Sequence, residues 1–185
     1  MLACTLDVSK YRINVYERNA AAGRKFLVAG DGGLNITHSE DPSAFVKRYT
    51  PSGFLDKAFF YFDNKQLVEW LANTGIPTFT GSSGRVFPVK TMKPAQVLNQ
   101  MLKRAKANGV QFFYKHTWTG FTEKGLLFRT NTISTEVIAD VYVYCLGGAS
   151  WPVTGSTGEW LHYFSEKNIA VEPFEASNCA FKVTW

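Results

Sequence analysis

The sequence predicts an α/β fold, and three observations carry that expectation. Tyr11 to Tyr16 alternates apolar and polar residues and is rich in β-formers, the pattern of a strand. Between Asp41 and Gly75 the spacing turns helical, with Phe54, Leu55, Ala58, Phe59 and Phe62 on one face and Leu67, Val68, Leu71 and Ala72 on another. Val141 to Leu146 is a nearly continuous apolar run leading into Gly147-Gly148, as expected of a strand buried on both faces of a parallel sheet.

The elements follow in order. Met1 to Leu6 reads as the apolar second half of a helix, turning into the Tyr11 strand that Glu17 closes. Gly23 to Gly33 is a glycine-rich loop flanked by a short helix, where backbone can approach a ligand. In the helical block Ser52 and Asp63 can serve as N-caps and Gly75 stops the last helix. Short β pieces then surround a Gly81-Ser82-Ser83-Gly84 turn within Ile76 to Pro88. An amphipathic helix runs from about Lys93 to Ala107, with Val97, Leu98, Met101 and Leu102 inside and Gly109 ending it. Strand patterns follow at Val110 to Tyr114, Thr119 to Phe121, Leu126 to Arg129 and Val137 to Cys145, then a helix from Glu159 to Lys167.

Composition narrows the function classes. A chain of 185 residues, 45% apolar and 15% aromatic, can bury a real core, which excludes a disordered tail. Its longest apolar stretch is interrupted by Asp140 and falls short of the roughly 20 residues a membrane helix needs. Met1 to Lys10 has neither a basic n-region nor a sustained apolar h-region, so no signal peptide is expected and the cytoplasm is the expected compartment. Cys4, Cys145 and Cys179 are odd in number and far apart, which suits reduced thiols. His38, His116 and His162 show no metal-ligand spacing, and no metal is expected. The net charge of +5 is scattered in pairs such as Lys47-Arg48 and Lys103-Arg104, the pattern of a solvated surface; a nucleic-acid module would need a basic face with interleaved aromatics.

Chemistry concentrates at the loop boundaries. Glu17, an acid at a strand end, fits the carboxylate that accepts hydrogen bonds from a ribose in dinucleotide-binding folds, and equally an exposed strand-end glutamate. The G-x-G-x-x-G that should precede it by about 20 residues has no room, because only sixteen residues come before Glu17. Either the chain binds no dinucleotide, or it begins inside the first βαβ unit; the mid-helix character of Met1 to Leu6 favours the second. Arg24-Lys25 ahead of Gly30, Gly32 and Gly33 pairs cations with exposed backbone N–H groups, which suits a pyrophosphate or an electron-rich ring edge. Leu146, Gly147 and Gly148 would lie bare at the carboxyl end of a parallel strand, and Gly155 and Gly158 precede a helix start, where anions are favoured. The same glycines also suit turns without a ligand. Trp151 and Trp160 are expected to pack rather than stack on a ligand.

Together, GRKFLVAGDGGLNITHSE, GSSGRVFP and LGGASWPVTGSTGEW resemble, in order and over essentially the whole chain, the fingerprints of the BaiN/YhiN-like family of NAD(P)/FAD-dependent flavoprotein oxidoreductases. The resemblance implies a Rossmann-like FAD-binding domain of the glutathione-reductase type with a helical subdomain, occupying residues 1–170 without its first strand and phosphate loop. Residues 171–185 would open an inserted domain. It implies that Arg24, Lys25, Gly30, Gly32, Gly33 and Asn35 lie against the flavin, that Glu17 holds the adenosine ribose, and that the strand around Trp118 passes the adenine. Cys145-Leu146-Gly147-Gly148 corresponds to the family's terminal Ala-Thr-Gly-Gly strand. The loop departs from the commonest Gly-Gly-Gly-Arg-Cys-Asn form, with Asp31 for the first glycine and Gly33-Leu34 in place of Arg-Cys. The implied activity is hydride or electron transfer through FAD, with NAD(P)H as donor and no catalytic residue assigned. The alternatives are a remnant of the same fold without stable FAD and a basic nucleic-acid-binding module. If the first strand is missing, apolar faces near Leu6 and Val141 to Leu146 should be undercovered.

Overall fold

The computed structural model describes residues 1–28, 33–150, 152–155 and 157–175. The chain opens with α1 (Leu2–Thr5), β1 (Asn14–Glu17), α2 (Arg24–Leu27), β2 (Thr37–His38) and α3 (Pro42–Phe45), which a 3₁₀ turn extends over Val46–Arg48. Next come α4 (Asp56–Tyr61), α5 (Asn64–Asn73), β3 (Thr78–Thr80), β4 (Arg85–Pro88) and α6 (Pro94–Ala107). The remainder holds β5 (Gln111–Tyr114), β6 (Thr117–Phe121), β7 (Leu126–Arg129), β8 (Ser134–Val137), a 3₁₀ turn at Pro152–Thr154 and α7 (Leu161–Ser165). The chain divides into two units, one of residues 1–15 and 26–112, the other of residues 16–25 and 113–185. Strands β1 and β5 pair with each other and run from the first unit into the second. Their bonds advance in the same direction along both strands, Gln111 N–H to Ile13 O and His116 N–H to Glu17 O, which makes the pair parallel.

The first unit is built on α5 and α6. Leu71, Ile76 and Val97 are fully buried, and Cys4, Trp70, Ala105 and Val110 join them in one apolar cluster. Helix α5 starts where local chemistry dictates. The Asp63 carboxylate accepts from the N–H groups of Lys65 and Gln66, while Gln66 Oε1 accepts from the Asp63 N–H, a reciprocal capping box. Gly75, at φ +77°, ends it in a left-handed conformation that residues with a Cβ adopt only at a cost. Replacing Asp63 with Ala is expected to lower stability by about 1 kcal/mol, read as a reduced urea midpoint with an unchanged slope.

Strands β2, β4 and β3 form an antiparallel sheet with Thr37 opposite Val86 and Phe79 opposite Phe87, the Gly81 to Gly84 turn joining β3 to β4 as the sequence predicts. The exit of β2 is tied down by buried Asn64, whose amide donates to the carbonyls of His38 and Glu40 at 2.7 and 2.8 Å. Beside it, Arg48 donates twice to the Glu40 carboxylate, at 2.5 and 2.8 Å. Those hydrogen bonds hold the Glu40 carboxyl below its ordinary 4.5. A lowered folded-state value stabilises the native state above the ordinary value and is lost as pH falls through the lowered one. Acidification from about pH 5 to about pH 3 should therefore reduce the urea midpoint, and Glu40→Gln should reduce that drop slightly, because the pair is solvent-exposed.

Two expectations in the helical block are corrected. Helix α4 begins only at Asp56, with Leu55 as a cap that contributes no side-chain bond. Ser52 lies upstream of it, in a turn after the cis Thr50–Pro51 bond where Phe54 N–H donates to the Pro51 carbonyl. Phe54 therefore precedes the helix and is 74% exposed instead of sharing its inner face.

The second unit carries the antiparallel meander β6-β7-β8, with Trp118 opposite Phe128, Leu127 opposite Glu136 and a bulge between Trp118 and Gly120. Leu126 and Phe128 are buried, and the Tyr16 ring stacks on Phe128 at 4.4 Å and on Phe113 at 4.8 Å. Trp118, Phe121, Tyr144 and Phe164 pack mainly edge to face at 5.1–6.2 Å.

The strand expected from Val137 to Cys145 is also corrected. β8 ends at Val137, and residues 141–148 are in no strand. Val141 is 75% and Val143 59% exposed, while Tyr142 and Tyr144 are half-buried, so one side of the run faces solvent. The chain leaves the meander at a corner where the Tyr142 hydroxyl accepts from Ala139 N–H and donates to the Val137 carbonyl. A strand is defined by its ladder, and among the described residues nothing pairs with 141–146. Helix α7 is shorter than the predicted span of Glu159 to Lys167. Among the described residues no helix is long and apolar enough to cross a membrane.

Candidate functional site

The second unit contains a cavity of about 370 Å³ at the carboxyl end of β1. Five segments supply its walls. The β1 end and the turn after it bring Tyr16 to Asn19; the start of α2 brings Arg24 and Lys25; the start of β6 brings Thr117 and Trp118, with His116 just before it; residues 144–147 form the fourth wall, and residues between Thr154 and Tyr163 the fifth. Leu126 and Phe128 of β7 give it an apolar floor.

Glu17 sits where a parallel strand ends, because β1 pairs with β5 up to that point. Its carbonyl accepts from His116 N–H at 3.0 Å, and the next turn is closed by Lys115 N–H donating to the Asn19 carbonyl at 3.1 Å. Lys115 takes φ +59° to make this connection. The Glu17 carboxylate is gripped locally, Oε1 accepting from the Asn19 backbone N–H at 2.7 Å and from Asn19 Nδ2 at 2.8 Å. The His116 ring stands edge-on to Tyr16, and its Nδ1 bonds the Tyr114 carbonyl at 2.7 Å.

The cations Arg18, Arg24 and Lys25 share this cavity with the carboxylates of Glu17 and Glu159. Lys25 Nζ donates to Ser150 Oγ at 2.7 Å, which points the ammonium toward the 147–150 turn. The Arg18 guanidinium lies over Gly155, where φ is +90° and any Cβ would overlap the guanidinium. Gly155 is therefore required for its backbone conformation, while a Cβ there would also displace the flexible end of Arg18. Trp118 Nε1–H donates to the Gly120 carbonyl and Trp160 Nε1–H to the Gly147 carbonyl, so both indoles are fixed by their polar edges. Burial, together with the neighbouring Tyr142, pushes the Tyr144 phenol above its ordinary value.

Of the residues singled out in the sequence, Glu17, Arg24, Lys25, Trp118, Leu146, Gly147 and Gly155 line this one cavity. Gly148 and Gly158 belong to the same unit but not to the lining; a Cβ on Gly158 would press on Phe174 and Ala149, so that glycine serves a protein contact. Gly33 and Asn35 belong to the first unit, where Gly33, at φ +93°, lies beside the Phe87 ring and its carbonyl accepts from Asn35 N–H. Gly30, Gly32 and Trp151 lie outside the described residues. Trp160 packs on Phe164 and Phe174, as expected of a packing residue, and also borders the cavity. Sequence reasoning missed Arg18, Asn19 and His116. The first two follow Glu17 directly, so its assignment could have signalled them, whereas His116 arrives only through the pairing of β1 with β5.

A carboxylate acceptor, three cations and aromatic walls at the end of a parallel strand can take a diol, a phosphate chain and a planar base together. Among the described residues no three His, Cys, Asp or Glu side chains gather to hold a metal ion. A family model described as the HI0933-like protein Rossmann domain matches residues 1–177.

Proposed function

The chain belongs to the HI0933-like protein family, through a Rossmann domain of the FAD-binding oxidoreductase type, and from that premise we propose that the second unit's cavity holds the ADP half of FAD. The single observation carrying this reading is Glu17 at the end of β1, one carboxylate oxygen clamped by Asn19, in the same cavity as Arg18, Arg24 and Lys25. The donor set fits the group. Glu17 accepts from ribose hydroxyls, the cations balance the pyrophosphate, and the aromatic rings of Trp118 and His116 border the space for the adenine.

FAD, when bound, supplies the hydride or electron transfer. The chain's residues bind and orient it: Glu17 sets the ribose, Lys25 and Arg24 neutralise phosphate charge, and the apolar floor of Leu126 and Phe128 excludes water beneath the base. Within the family we place the chain in the BaiN/YhiN-like branch on the order of its three glycine-containing motifs, with NADH or NADPH as the proposed electron donor and the cytoplasm as the proposed compartment.

Trp118 reports directly on this reading. ADP added to the purified chain should change tryptophan fluorescence saturably, and the double variant Trp118→Phe/Trp160→Phe, which removes both indoles that line the cavity, should lose most of the change while binding persists by calorimetry. A full signal in that double variant would place the nucleotide elsewhere.

A further inference from the structure

We infer that Asn19 is a specificity-determining residue of the nucleotide cavity, positioning the Glu17 carboxylate so that the site selects ribonucleotides over 2′-deoxyribonucleotides. The inference rests on the adenine-nucleotide reading of that cavity. A glutamate at a strand end has several side-chain torsions and, when exposed, samples many rotamers. Here both available donors of Asn19, the backbone N–H at 2.7 Å and Nδ2 at 2.8 Å, converge on one oxygen, Oε1. No second donor within hydrogen-bond reach engages Oε2 among the described residues, so the clamp leaves one oxygen with its acceptor capacity for a ligand.

The clamp is itself anchored. Lys115 N–H holds the Asn19 carbonyl and His116 N–H holds the Glu17 carbonyl, so the backbone on both sides of Arg18 is fixed to the β5–β6 connection. The side-chain amide of Asn19 therefore reaches back from a rigid base, and the cost of ordering Glu17 is met before a ligand arrives. A site built to hydrogen-bond a hydroxyl rejects the analogue lacking it, because the polar group left behind is unpaired. Asn19 does not touch the ligand in this scheme; it acts through Glu17.

Calorimetric titration of the full chain with ADP and with 2′-deoxy-ADP tests it. The unaltered chain should bind ADP at least about tenfold more tightly than 2′-deoxy-ADP. Asn19→Ala should bring that ratio to within about threefold, mainly by weakening ADP, and Asn19→Ser, which restores a short donor, should recover part of it; far-UV circular dichroism of both variants checks their fold. A merely structural role for Asn19 would weaken both nucleotides alike, so a ratio in Asn19→Ala that stays at the value of the unaltered chain, or one in Asn19→Ser no higher than in Asn19→Ala, overturns the inference while leaving the nucleotide reading in place. Equal binding of the two nucleotides by the unaltered chain also overturns it. Binding of neither nucleotide removes the cavity reading, and this inference with it.

Discussion

Leu71→Ala is expected to lower the free energy of unfolding by about 3 kcal/mol, within the range of about 2–5 for such truncations. Leu71 is 0% exposed, near the end of α5, in a cluster with Trp70, Ile76, Val97, Ala105 and Val110. Its position is held from several sides. The Asp63 capping box fixes the start of its helix, and the Leu71 carbonyl accepts from both Thr74 and Ile76 N–H groups in the turn that ends it. A site fixed this way cannot collapse far onto the missing methyls, so the loss includes a cavity as well as the lost transfer free energy. Phe54→Ala provides the contrast: a larger side chain is removed, but at 74% exposure the change should stay within about 0.5 kcal/mol. Urea unfolding followed by circular dichroism measures both.

Glu17→Gln is expected to weaken ADP binding by roughly tenfold to a hundredfold, the range for losing a charge-assisted hydrogen bond. The substitution keeps shape and length, and Asn19 can still donate to the amide oxygen, so stability should change by less than about 0.5 kcal/mol. What changes is the atom offered to the ribose, a carboxylate oxygen in the native chain and an amide nitrogen or a weaker acceptor in the variant. Glu17→Ala should be at least as damaging to binding and should also leave both Asn19 donors without their acceptor. Comparing the two by calorimetry separates the loss of charge from the loss of the clamp.

What could be read from the sequence was local. The Asp63 cap is legible because its partners lie within three residues, and α6, β5 and β7 follow from spacing that packing did not override. Ser52 failed as a cap because capping depends on where the helix begins, and a turn in which Phe54 N–H donates to the Pro51 carbonyl stands between Ser52 and the start at Asp56. The Val141 to Leu146 run shows the limit most clearly. Its composition is that of a buried strand, yet a strand also requires a partner, and composition carries no information about one. Glu17 was recognisable as a strand-end acid, but its orientation depends on Asn19, and the neighbourhood of His116 depends on two strands about a hundred residues apart pairing in parallel. The glycines divide the same way. Gly155 serves the Arg18 side chain that lines the cavity, and Gly158 serves the packing of Phe174 and Ala149, a distinction invisible in a Gly-Ser-Thr-Gly string.

The central claim, that the second unit's cavity is the nucleotide half of an FAD site, is tested most directly by competition. The purified full chain is titrated with FAD while flavin fluorescence is followed, and ADP is then added. Saturable quenching by FAD that ADP reverses, and that Glu17→Gln weakens in step with its loss of ADP affinity, is the predicted result. An unchanged flavin signal across the titration, or quenching that ADP cannot reverse, would contradict it.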